Sequence, residues 1–163
     1  MNKAVFFDRD GVINSDEGFY YVYRIEDFTL NLDVVETLKI IRESGYKLIL
    51  ISNQGGIGKG EYSCADVDKL HEHLQLLLRE NGAEFDEIYY CPHHPQTSAC
   101  LCRKPSSLMV EKALARFDID PEQSFLFGDS DRDVEAGLAA GIASSFKIPK
   151  NGSLKVCLPY LSL

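Results

Sequence analysis

The stretch Lys3–Asn14 (KAVFFDRDGVIN) decides the fold. Lys3–Phe7 is a short, β-favouring run, continuously apolar after its lysine, and such a run predicts a strand buried on both faces. It opens directly onto Asp8-Arg9-Asp10-Gly11, which sets two carboxylates at the mouth of that strand. Carboxylates crowded together away from water are unfavourable unless a proton or a cation stands between them. A hard divalent ion meets that need, and oxygen ligands favour magnesium. Taken alone, D-x-D-G is also ordinary turn chemistry, so the rest of the chain has to discriminate.

Outward from this strand, apolar runs alternate with stretches of helical period. Asp33–Ser44 carries Val34, Val35, Leu38 and Ile41 on one helical face, and Gly45 stops it. Lys47–Ile51 reads as a second buried strand, Ser63–Asn81 as a second helix, and Glu87–Tyr90 as a third strand. Ser107–Phe117 predicts a third helix, Ser124–Phe127 a fourth strand, Asp131–Ala140 a fourth helix and Ser144–Ile148 a last strand. This order predicts an α/β fold: a doubly wound, Rossmann-like parallel sheet with helices on both faces. One domain over 1–163 is expected, with no cap domain and one metal-binding loop over 91–102. The tyrosines Tyr20, Tyr21 and Tyr23 fall in an irregular stretch and suit either a pocket wall or plain packing. The apolar tail Val156–Leu163 fits an edge strand, a partner contact or a cover for the sheet.

In such sheets ligands bind beyond the carboxyl ends of the strands. The second strand ends in Ser52-Asn53-Gln54-Gly55-Gly56, a hydroxyl followed by glycine amides that could cradle a phosphate. Arg103 and Lys104 follow the third strand and would neutralise an anion. The fourth strand ends in Gly128-Asp129-Ser130-Asp131-Arg132-Asp133, more acid than helix capping alone requires. Each signal is weak by itself. Four strand ends presenting acid pair, hydroxyl, lysine and acid cluster form a far more specific pattern.

The order DRDGVIN (8–14), SNQ (52–54), CRKP (102–105) and GDSDRD (128–133) resembles the haloacid dehalogenase superfamily of aspartyl phosphatases, over roughly residues 3 to 148. Within it the chain looks most like the capless, zinc-bearing branch. The resemblance implies a magnesium-dependent phosphatase. Asp8 would be the nucleophile and Asp10 the acid and base. Ser52 and Lys104 would hold the phosphoryl group, and Asp8, Asp129 and the Asp10 carbonyl the magnesium. Asp133 would orient this set, while Asn53 and Arg103 would contact substrate. Asp131 is expected to be a solvated acid. The segments GFYYV and IYYCPHHPQ resemble the heptose-bisphosphate phosphatases of that branch more than its histidinol-phosphate phosphatases. A phosphorylated sugar is therefore the expected substrate, with Arg103 on its second phosphate. Lys59 stands where the heptose enzymes commonly carry arginine.

Cys91, His93, Cys100 and Cys102 form C-x-H-x6-C-x-C, four soft or borderline ligands that suit a closed tetrahedral zinc site. His93 is preferred over His94 because the family pattern places the first histidine on the metal. Such a zinc would be structural and would pin the loop that delivers Arg103 and Lys104. Cys64 and Cys157 are expected to be inert packing residues, and His71 and His73 solvated or packed.

Composition bounds the rest. With 163 residues and 45% apolar side chains, the chain can bury a core without disulfides. A net charge of -8 argues against nucleic acid as a partner. No apolar run reaches the roughly 20 residues needed to span a bilayer. A cytoplasmic monomer with no nucleic-acid or membrane partner is expected.

Overall fold

A computed structural model describes residues 1–163. Five parallel strands form one sheet: β1 (Lys3–Phe7), β2 (Tyr46–Asn53), β3 (Glu87–Cys91), β4 (Phe125–Gly128) and β5 (Ser144–Lys147), in the order β3-β2-β1-β4-β5. The helices are α1 (Val34–Glu43), α2 (Cys64–Arg79), α3 (Leu108–Arg116) and α4 (Asp131–Ala139).

The alternation of Cβ direction along a strand divides the core into two layers. Val5 and Phe7 of β1 pack with Leu48 and Leu50 of β2, against Val34, Leu38 and Ile41 of α1 and Leu74 and Leu78 of α2. Ala4 and Phe6 face the other way, with Ile49, Ile51 and Leu126, against Met109, Val110 and Ala113 of α3. The chain winds outward through β2 and β3 and then crosses to the far side of β1. The switch point therefore lies between β1 and β4, the crevice where a doubly wound sheet receives ligands. Neither the loop after β1 nor the one after β2 inserts a cap domain, so the crevice opens at the sheet edge.

Two expectations change in detail, and one open alternative is decided. β2 runs on to Asn53, because Ser52 pairs with Tyr90 and Asn53 with Cys91. The sheet thus holds the serine rigidly and makes Cys91 the last residue of β3. The tail forms a 3-10 helix, Leu154–Tyr160, which buries Leu154, Cys157 and then Leu161 on the α1 side of the core. It covers the sheet and adds no strand. Cys157 packs as expected, whereas Cys64 is exposed in the first turn of α2. No helix is long and apolar enough to cross a membrane.

Candidate active site

Asp8 follows β1 directly, and Gly11 makes the approach of β4 possible. Gly11 has φ +85°, and a Cβ there would lie 2.2 Å from Asp129 Oδ2. The fourth residue of DRDG is thus glycine for both conformation and space. Across the crevice, Lys104 Nζ sits 2.7 Å from Asp8 Oδ1, 2.6 Å from Asp133 Oδ1 and 2.9 Å from the Ile51 carbonyl. This lysine is almost completely buried, at 2% exposure. Asp133 is held in turn by Ser130, with which it forms the capping box of α4.

Ligand oxygens of Asp8, Asp129 and Asp133 all lie within 4.8 Å of one another. Burial, with Asp133 and Asp129 nearby, pushes the Asp8 carboxyl well above the usual range despite the pull of Lys104. Burial, then Asp133, raises Asp129 as well. Burial also opposes ionisation of Asp133, yet Lys104 and Ser130 outweigh it and hold this acid ionised. One lysine cannot balance three carboxylates. The surplus negative charge faces a polar cavity of about 270 Å³ that Asp10, Asp129 and Lys150 also line. The residues present fit a hard divalent cation.

Asp10 is clamped from two sides. Arg9 Nη2 donates to Oδ1 at 2.9 Å, Asn14 donates to Oδ1 at 3.0 Å, and Gln54 donates to Oδ2 at 3.1 Å. Burial works against ionisation here too, but Arg9, Asn14 and Gln54 together leave Asp10 below the usual carboxylate range. Gln54 is itself fixed, donating to Ser52 Oγ at 2.7 Å and accepting from the Tyr62 hydroxyl at 2.7 Å. Because Ser52 Oγ accepts from Gln54, its own proton remains free to donate.

Asn53 lines the cavity, but its amide is engaged with the main chain of Lys104: Nδ2 donates to the carbonyl at 3.1 Å, and Oδ1 accepts from the amide at 3.0 Å. It anchors the lysine loop to β2. Arg103 donates to the His93 carbonyl and lines a second cavity of about 370 Å³ with Tyr20, Tyr21, Tyr62 and Arg132. Tyr23 stacks on Tyr62 from behind, with centroids 4.8 Å apart. Asp131 is exposed beside Lys147.

Several site residues escaped sequence reasoning. Lys150 pairs with Asp16 at 2.9 Å, and Asn151 bonds both the amide and the carboxylate of Asp16. The signal for Lys150 was available, since it follows the fifth strand end at the same sheet edge. Arg9 and Tyr62 gave no comparable signal, because the burial of Arg9 against Val22 and His71 and the bond from Tyr62 to Gln54 depend on segments that only the fold brings together.

Cys91, His93, Cys100 and Cys102 come together, while His94 turns aside and accepts from the Gln96 amide. Cys91 Sγ lies 3.7 Å from Cys100 Sγ and 3.5 Å from His93 Nδ1, and His93 Nδ1 lies 3.3 Å from Cys102 Sγ. Zinc–sulfur bonds of about 2.3 Å in a tetrahedron imply sulfur–sulfur edges near 3.8 Å. The Cys91–Cys102 edge, 3.0 Å, is markedly shorter. The four residues can hold a metal ion.

Comparison with known proteins agrees with this geometry. Residues 101–146 match the HAD-hydrolase-like family model. The chain is 43% identical over 151 residues to a D-glycero-beta-D-manno-heptose-1,7-bisphosphate 7-phosphatase of Helicobacter pylori, covering 92% of this chain and 85% of the relative. It is 40% identical over 147 residues to the enzyme of the same name from Haemophilus influenzae, covering 87% and 79%. The crystal structure of a D,D-heptose 1,7-bisphosphate phosphatase from B. bronchiseptica, complexed with magnesium and phosphate, superposes with a TM-score of 0.84 at 28% identity, over 99% of this chain and 88% of that one. The chain belongs to the haloacid dehalogenase-like phosphatases, the family of these heptose-bisphosphate enzymes. It is a phosphomonoester hydrolase.

Proposed function

We propose that this chain removes the 7-phosphate of D-glycero-D-manno-heptose 1,7-bisphosphate through an aspartyl phosphate on Asp8. The observation that carries the reading is Lys104 Nζ lodged between Asp8 Oδ1 and Asp133 Oδ1. A buried ammonium there fixes the nucleophile's orientation and offsets the repulsion between its carboxylate and an incoming phosphoryl group. The names of the heptose-bisphosphate relatives support the substrate.

In the first half-reaction an Asp8 oxygen attacks phosphorus, the bond to the sugar oxygen breaks, and Asp10 protonates that oxygen. In the second, water attacks the aspartyl phosphate, Asp10 takes its proton, and inorganic phosphate leaves. The free site keeps Asp10 ionised, the form needed for the second step. The arriving phosphoryl charge raises its proton affinity, the form needed for the first. Ser52 donates to a phosphoryl oxygen, and Asn53 steadies the Lys104 loop. Asp8, Asp129 and the Asp10 carbonyl would hold magnesium, which supplies further charge neutralisation at the phosphoryl oxygens. Cys91, His93, Cys100 and Cys102 would hold a structural zinc. Arg103 and the second cavity would receive the sugar and its remaining phosphate.

The test is phosphate release from both anomers of the heptose bisphosphate, from histidinol phosphate and from simple sugar monophosphates. A preference in kcat/KM of about a hundredfold for a heptose anomer, roughly 2.7 kcal/mol of discrimination, is expected. A flat profile, or a preference for histidinol phosphate, would overturn the substrate while leaving the chemistry. D8N should lose about ten-thousandfold or more in kcat with an unchanged circular dichroism spectrum; retained turnover would remove the covalent mechanism.

A further inference from the structure

We infer that His71 is a positioning residue for Asp10, acting through the buried guanidinium of Arg9. The inference rests on the acid role proposed above for Asp10. Arg9 is wholly buried, at 0% exposure, and its side chain links α2 to the loop after β1. Nε and Nη2 donate to Asp10, Nη2 donates also to the Val22 carbonyl, and Nη1 is 3.2 Å from His71 Nε2. A guanidinium can only donate, so His71 Nε2 is the acceptor and the ring proton sits on Nδ1.

The histidine is built into this place. It lies on the buried face of α2 with Val67, Leu70 and Leu74, and only 7% of it is exposed. Tyr90 meets the ring edge-on at 5.6 Å, and the Tyr90 hydroxyl is tied to Asp68 at 2.8 Å. Burial, reinforced by Arg9, pushes the imidazole pKa down to about 3, so the ring stays neutral.

The chemistry of the acceptor matters. A carboxylate at position 71 would divide the charge of Arg9 between two acids and weaken its hold on Asp10. An apolar side chain would leave Nη1 buried and unpaired, and the guanidinium would turn to find another partner. A neutral imidazole takes up the spare donor and leaves the whole positive charge to Asp10. The position of the Asp10 carboxyl relative to the leaving oxygen is thereby set from a helix that touches no substrate.

A leaving-group comparison tests this. An alkyl phosphate such as the sugar ester needs its leaving oxygen protonated, whereas p-nitrophenyl phosphate does not. kcat/KM for the two esters, measured with magnesium, therefore reports the acid step. D10N should lose about a hundredfold or more on the sugar ester relative to the aryl ester. H71L should move in the same direction by about tenfold, and H71Q, whose amide oxygen can reach the place of Nε2, should recover most of that ratio. Equal losses on both esters in H71L, or no recovery in H71Q, would overturn the inference. If D10N itself shows no ester dependence, the acid role fails first and takes the role of His71 with it. Should H71L fail to fold, H71M makes the same comparison with a more adaptable side chain.

Discussion

The proposed phosphoryl pocket and the cysteine loop hold their polar groups together by opposite means. In the pocket, Asp8, Ser52, Lys104 and Asp129 come from four strand ends spread over more than a hundred residues, and the packed sheet brings them together. In the loop, four candidate ligands fall between Cys91 and Cys102, and from Pro92 to Lys104 no residue is helical or extended. The pocket is crowded because the fold forces charge into it. The loop converges with little regular structure around it, which suits a bound ion as its support. Geometry imposed by a fold survives loss of a ligand, and geometry imposed by a ligand does not.

K104M is the most severe way to probe the first region. It leaves Asp8 and the almost buried Asp133 without their common cation. Breaking a buried pair in this way costs on the order of 3–5 kcal/mol. Denaturant unfolding should show that loss, and kcat should fall by about a thousandfold. A variant as stable as the parent would mean that the lysine is a guest in the pocket and not part of its frame.

C100S sharpens the contrast from the other side. Zinc content and melting temperature should fall together, by about 2 kcal/mol or more in stability, with a smaller effect on kcat/KM of about tenfold. The kinetic loss follows because Cys102 directly precedes Arg103, which also donates to the His93 carbonyl. Unchanged metal analysis and melting would show that the loop stands without an ion.

The smallest expected effect concerns pH and magnesium. Asp8 and Asp129 have raised pKa values in the folded metal-free protein, so their contribution to stability is full below the unfolded value of 3.8. It is lost as pH rises through the folded values. In the proposed site magnesium would replace the proton between them, and its stabilising effect should therefore grow as pH rises. At a hundred times its dissociation constant the gain is about 2.7 kcal/mol at most. Differential scanning fluorimetry at pH 5 and pH 8, with and without magnesium, would show this, and D129N should abolish the difference. An equal shift at both pH values would place the ion elsewhere.

Much of this contrast was legible in the chain. The four helices and five strands follow from hydrophobic period and glycine stops, and the expected bounds lie within a few residues of those observed. The cysteine loop was readable because all its ligands are local. Other features were not. The tail was ambiguous, since an apolar run such as VCLPYLSL suits a strand or a cover equally well. His71 looked like any helical histidine, and its contact with Arg9 exists only because α2 packs against the loop after β1. Asn53 is expected to contact substrate and does line the cavity; that its amide also bonds the main chain of Lys104 was not legible.

The sequence by itself determined which residues could do chemistry and at which edge of the sheet they would gather, because strand ends are fixed by local pattern and β–α alternation dictates a parallel sheet. Only the tertiary structure decided how those residues share charge: that Lys104 holds both Asp8 and Asp133, that Gln54 joins Arg9 on the Asp10 carboxylate, and that Asp16 and Lys150 meet 134 residues apart. Local pattern is carried by neighbours in the chain. Hydrogen bonds and ion pairs depend on separations of a few ångströms between distant segments, and those appear only once the layers are packed.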